Sequence, residues 1–234
     1  MDAPVAFPFH IAHHWRRATD VQCQADRHIN RQPHQTMFGL FKKKPEVVKQ
    51  PDDASLIVPR IKHTNFLVAL RDRIKNEDDM PATEPLVADL LVTYAFDLPE
   101  TFQMVCVRDV KRLSLSSEQL RATAIANMKQ QLGNIGRAGE PPLLKVVTGN
   151  NLEACVLLID DFWTALASKI PPEIVVGVPT RDVLLVTTSA STKGGVQMLR
   201  EAVKEARSGD DTHWLTENLL VRRADKWAIF NEPA

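Results

Sequence analysis

Apolar positions along this chain follow two periods, and the switches between them mark its elements. The strongest pattern is Glu173–Thr188, EIVVGVPTRDVLLVTT. Two apolar runs, Ile174–Val178 and Val183–Val186, flank a polar corner, Pro179-Thr180-Arg181-Asp182. That arrangement predicts a β-hairpin. Its apolar residues are consecutive, so both faces are predicted to be covered and the hairpin to sit at a sheet centre. Leu90–Phe96 and Phe102–Val107 predict a second hairpin, turned by Asp97-Leu98-Pro99-Glu100-Thr101. Leu56–Lys62 predicts a strand in which Pro59 cannot donate a ladder hydrogen bond, hence an exposed edge or a bulge. Asn76–Glu84 reads as an acidic loop and Leu143–Val147 as a short strand. Leu219–Arg222 and Trp227–Phe230 read as a closing hairpin.

Helical spacing appears four times. Thr64 stands where a cap is needed before Phe66, Leu67, Leu70 and Ile74. Ser116 and Gln119 form a capping box ahead of Leu120, Ala124, Met128 and Leu132, and Gly133 supplies a stop. Leu152, Val156, Ile159, Trp163, Leu166 and Ile170 predict one long amphipathic helix, ended by Pro171-Pro172. Val196, Leu199, Ala202, Val203 and Ala206 predict another, ending near Gly209. The fold class expected is α+β, mostly antiparallel hairpins with packed amphipathic helices. The order helix, hairpin, helix, strand occurs twice, which raises an internal duplication as a further expectation.

The first 36 residues break the pattern: Met1–Thr36 contains no Leu, Gly, Glu, Lys or Ser, yet holds five of the seven histidines. It is expected to be disordered and to lie outside the native protein, with Met37 the natural start. His10, His13, His14, Cys23 and His28 are potential metal ligands, but their spacing matches no zinc module. Residues 37–54 read as a basic tail with Lys42-Lys43-Lys44 and a linker, and 55–234 as a single domain.

Composition narrows the function classes. Lys plus Arg equals Asp plus Glu at 29 each, so no basic excess points to nucleic acid. No apolar run approaches the roughly 20 residues that span a bilayer, so stable membrane insertion is not expected. Cys23, Cys106 and Cys155 are dispersed and odd in number, which argues against a disulfide framework and for a cytoplasmic setting.

Candidate chemistry is sparse. There is no nucleophile elbow, P-loop or dinucleotide fingerprint, and no cofactor is expected. The polar residues singled out are Asp89, Asp97, Arg108, Asp109, Arg181 and Asp182, all at or near hairpin ends. Arg181-Asp182 sits at a rigid corner suited to recognition. Against that stands a plain turn role for Asp182, and a helix-capping role for Asp109 before Val110–Leu113. Asp160 and Asp161 are adjacent on a helix and point about 100° apart, so they do not serve one site. His63 and His213 are candidate acid–base residues but have no acid or nucleophile partner recognisable in the sequence.

Several segments together resemble the bacterial YtpQ-like family of unknown function: VPRIKHTNF (Val58–Phe66), PLVADLLVTYAFDL (Pro85–Leu98), LRATAIANM (Leu120–Met128) and VPTRDVLLV (Val178–Val186). The resemblance covers about Leu56 to Phe230. It implies a cytosolic α+β domain and lends no catalytic residues. Two functions are left. One is a binding module that presents a groove, or the sheet edge at Pro59, to a protein or peptide partner. The other is a hydrolase-like small-molecule enzyme that gathers the six Asp and Arg residues in one pocket.

Overall fold

Strand β1 (Ile57–His63) lies antiparallel to β3 (Leu90–Leu98), with Pro59 opposite Tyr94. The computed structural model describes residues 53–170, 173–191, 194–207 and 213–231. The N-terminal segment, the lysine run at 42–44, Pro171-Pro172 and Gly209 lie outside the described residues. On its other side β3 is shared by two strands placed end to end. β2 (Thr83–Val87) pairs with its first half and β4 (Thr101–Met104) with its second. The stretch ending in β2 thus continues past the expected loop into a strand. Leu86 and Val87 are half-buried against the core, and Ala88 turns the chain back with φ 51°.

The second sheet has six strands in the order β10-β9-β7-β8-β6-β5. These are β5 (Gly136–Ala138), β6 (Leu144–Val147), β7 (Ile174–Thr180), β8 (Val183–Thr188), β9 (Leu220–Arg223) and β10 (Lys226–Ile229). The expected central hairpin is β7–β8, and its consecutive apolar residues are explained by cover on both faces. Ile174, Val176, Val178, Leu184 and Val186 face the main core. Val175 and Leu185 face a second cluster with Leu199 and Val203. Those two belong to α5 (Gly195–Arg207). The helix lies directly on β7: a Cβ at Gly177 would fall 2.6 Å from Val203 Cγ2 and 2.9 Å from Leu199 Cδ1. Only glycine allows that approach.

The other helices are α1 (Asn65–Arg71), α2 (Val107–Arg112), α3 (Ser117–Leu132) and α4 (Asp160–Ala167). α3 follows its sequence signature. Ser116 Oγ accepts from the Gln119 N–H at 3.2 Å, and Gln119 accepts from the Ser116 N–H at 2.8 Å. Leu120, Ala124, Met128 and Leu132 are buried, and Gly133 ends the helix with φ 54°. One core then runs through both sheets, joining Ile57, Val92 and Phe96 to Val176, Leu184 and Leu220.

Four expectations need correction. Leu152–Ile170 is not one helix. Glu153–Leu158 forms 3-10 turns with every residue buried, and α4 starts after a break at Ile159 (φ −98°, ψ 86°). A segment with no solvent face has no amphipathic stripe, so the 4-3-4-3 spacing there is coincidental. The strand at Pro59 is an edge, as proline requires, but it is not exposed. Pro59 is buried, and Cys155 in the 3-10 segment covers it, with Sγ 3.3 Å from the Pro59 carbonyl. Thr64 makes no side-chain cap; His63 Nδ1 accepts the Asn65 N–H at 3.0 Å instead. Asp109 does not precede its helix. It sits inside α2 and reaches back to the Cys106 N–H at 2.9 Å.

Candidate functional site

Three parts of the chain meet at the end of β1. β1 is antiparallel to β3, so its last residue, His63, comes opposite Leu90 and beside the two-residue turn Ala88-Asp89. The Thr64 N–H donates to the Asp89 carbonyl at 2.8 Å and fixes that approach. The β7–β8 corner arrives from the second sheet. The Arg181 N–H donates to the His213 carbonyl at 3.3 Å, and the Arg181 carbonyl accepts from the Ala154 N–H at 3.1 Å. The Leu215 N–H donates to the Pro179 carbonyl at 2.8 Å, so the segment after α5 runs along the end of β7.

Between these parts lies a cleft of about 620 Å³. Charged and polar groups on its walls are Lys62, His63, Asp89, Arg181, Arg207 and Glu217, and Phe66 and Trp214 supply aromatic faces. Several of the charges are already matched. His63 Nε2 lies 3.4 Å from Asp89 Oδ2, and Asn218 Nδ2 donates to the same oxygen at 3.4 Å. Arg207 pairs with Glu217 and stacks over Trp214, its guanidinium carbon 5.3 Å from the ring centroid. Asp89 Oδ1 is buried and has no hydrogen-bond partner among the described residues.

Lys62 and Arg181 differ from these. Neither makes an ion pair or a side-chain hydrogen bond among the described residues; Lys62 has only the face of Phe66, 5.5 Å away. Arg60 stands two residues before Lys62 and therefore points to the same side of β1. It too has only an aromatic face, that of Phe102 at 3.8 Å. Burial pushes the Lys62 ammonium below its usual pKa, and the positive charges of Arg181 and Arg60 push it further. Burial also lowers Arg60; Cys155 and Asp97 offset this in part, and Arg181 adds to it.

The six residues chosen from the sequence divide. Asp89 and Arg181 come together in the cleft. Asp97 instead accepts from Gln131 Nε2 at 2.9 Å, and Arg108 pairs with Asp79 at 2.5 Å. Asp109 is fully buried and holds the Cys106 amide and Arg112. Asp182 accepts from Thr180 Oγ1 at 2.7 Å, the turn role. Lys62, Arg207, Trp214 and Glu217 were not singled out, and His63 gains an acidic partner that the sequence did not reveal. The one available signal was the basic text Arg60-Ile61-Lys62-His63, with two cations on one side of a strand.

Asp160 and Asp161 also separate, pairing with Arg222 at 2.9 Å and Lys129 at 2.7 Å. Among the described residues, no group of three or more His, Cys, Asp or Glu is placed to hold a metal ion. None of the described helices is long and apolar enough to cross a membrane. Comparison with known protein families, with curated proteins and with solved structures gives no match to this chain.

Proposed function

We propose that this protein is a binding module and that the cleft at the end of β1 is its recognition site. The observation that carries this is the state of the one acid–imidazole pair in the cleft. His63 Nδ1 already accepts the Asn65 N–H, so its proton sits on Nε2 and faces Asp89. Neither ring nitrogen is left to take a proton from a nucleophile or from water. No Ser, Thr, Cys or Tyr appears among the described residues that line the cleft. The described cysteines are poor nucleophiles as well. Burial pushes the Cys155 thiol up to about 11, and burial together with the nearby Asp109 raises Cys106. Aromatic faces and charged groups without a nucleophile–base pair suit recognition rather than turnover.

The test is amide mapping on the full chain, using a fragment collection with anionic, cationic and neutral members. Members that bind are expected to shift the amides of residues 62–65, 181 and 213–215 and to be recovered unchanged. Chemical conversion of a bound fragment, or shifts confined to another part of the molecule, would overturn the proposal.

A further inference from the structure

We propose that the cleft holds a small phosphate monoester, with its dianionic phosphate seated between Lys62 and Arg181. This rests on the binding reading and names its ligand class.

The cations come first. Lys62 and Arg181 face the cleft, with Arg60 before Lys62 on the same side of β1, and none of the three makes an ion pair among the described residues, although the charge of Asp97 acts on Arg60. Carboxylates are used instead on other cations: Arg207 in the cleft itself, and Arg108, Lys111, Arg121, Arg222 and Arg223 away from it. Lys62 is half-buried, and the positive charge of Arg181, itself exposed, disfavours the charged form of the ammonium. A bound anion removes that cost. A single carboxylate balances one of the two facing cations; a phosphate dianion balances both. The guanidinium fork of Arg181 also matches two phosphate oxygens at once.

The rest of the cleft selects the remainder of the ligand. Its volume, about 620 Å³, leaves room for an organic group beyond the phosphate. Ile61, Phe66, Trp214 and Leu215 offer that group apolar and aromatic surface. Asp89 and Glu217 share the same walls. Their negative charges oppose an extended polyanion, so the arrangement fits one phosphate on a small molecule and not a nucleic-acid backbone.

The experiment titrates the full chain with inorganic phosphate, adenosine 5′-monophosphate, glucose 6-phosphate, sulfate and acetate at constant ionic strength. Heat and amide shifts are read together. The two monoesters are expected to bind saturably, to shift the amides of Lys62 and Arg181, and to outbind acetate by about tenfold or more. Affinity is expected to fall as pH drops through the second phosphate ionisation near 6, where the dianion takes up a proton. Lys62→Gln and Arg181→Gln each weaken monoester binding about tenfold, while Arg181→Lys retains part of it. Lys62→Met, which keeps an unbranched apolar stem and removes the charge, serves as a second variant in case Lys62→Gln misfolds. Monoester binding that persists in the folded Gln or Met variants overturns the inference. Acetate or neutral fragments shifting the cleft amides while no phosphate does so also overturns it, but leaves the binding module standing. A cleft silent to every probe and every fragment overturns both.

Discussion

Trp163 shows how much one residue holds in place. It is fully buried, and its indole N–H donates to the Val156 carbonyl at 2.8 Å. Its ring meets Phe162 and Trp227 edge-on, each with centroids 4.9 Å apart. Trp163→Ala opens a cavity between α4 and the 3-10 segment and is expected to cost about 3–5 kcal/mol. The urea midpoint measures it; an unchanged midpoint contradicts the packing. Cys155 gives a pH prediction. Its folded thiol holds its proton up to about pH 11, whereas the unfolded thiol releases it near 9.0. Across that window the folded state binds more protons, so stability falls as pH rises and is fully present below it. Urea unfolding at about pH 8.5 and about pH 10.5 should show the native chain losing on the order of 2 kcal/mol more than Cys155→Ala. Equal losses in the two proteins would place Cys155 outside the alkaline response.

Among the elements, the β7–β8 hairpin was legible because its apolar residues run without interruption, and two-sided cover is what such a run requires. α3 was legible because box, stripe and stop agree in register. Glu153–Leu158 was not. Buried all round, it carries no period, and the spacing of a neighbouring helix extended across it by chance. β2 was hidden by Pro85 and by the acidic residues before it, while its pairing depends on β3, which local sequence does not contain. The contact of α5 with β7 leads to a test at this scale. Gly177→Val drives a side chain into Val203 and is expected to cost about 1–3 kcal/mol. Val203→Ala makes room, so the double variant should recover part of the loss. Additive losses in denaturant midpoints would show that the helix does not bear on Gly177.

At the scale of the molecule, the cleft was nearly illegible. Its walls come from β1, the β2–β3 turn, the β7–β8 corner and the segment after α5, and no local pattern ties these together. Asp89 and Arg181 were found as hairpin residues; Lys62, Trp214 and Glu217 looked like ordinary surface. The last strands are as necessary as the first. β9 lies between β10 and β7, and Trp227 donates to the Leu157 carbonyl at 2.9 Å. A chain ending before His213 is therefore expected to lose its cooperative thermal transition in circular dichroism; a retained transition would show that β9 and β10 are dispensable.

The Asn218–Asp89 contact spans 129 positions of sequence, and the Cys155–Pro59 contact spans 96. Closing loops of that length consumes chain entropy before any contact repays it. Such pairings slow folding and come late. The cleft therefore joins parts of the chain that local structure alone cannot bring together. On a ribosome releasing the chain from its N-terminus, the Asp89 turn waits for the segment carrying Asn218 before their contact can close.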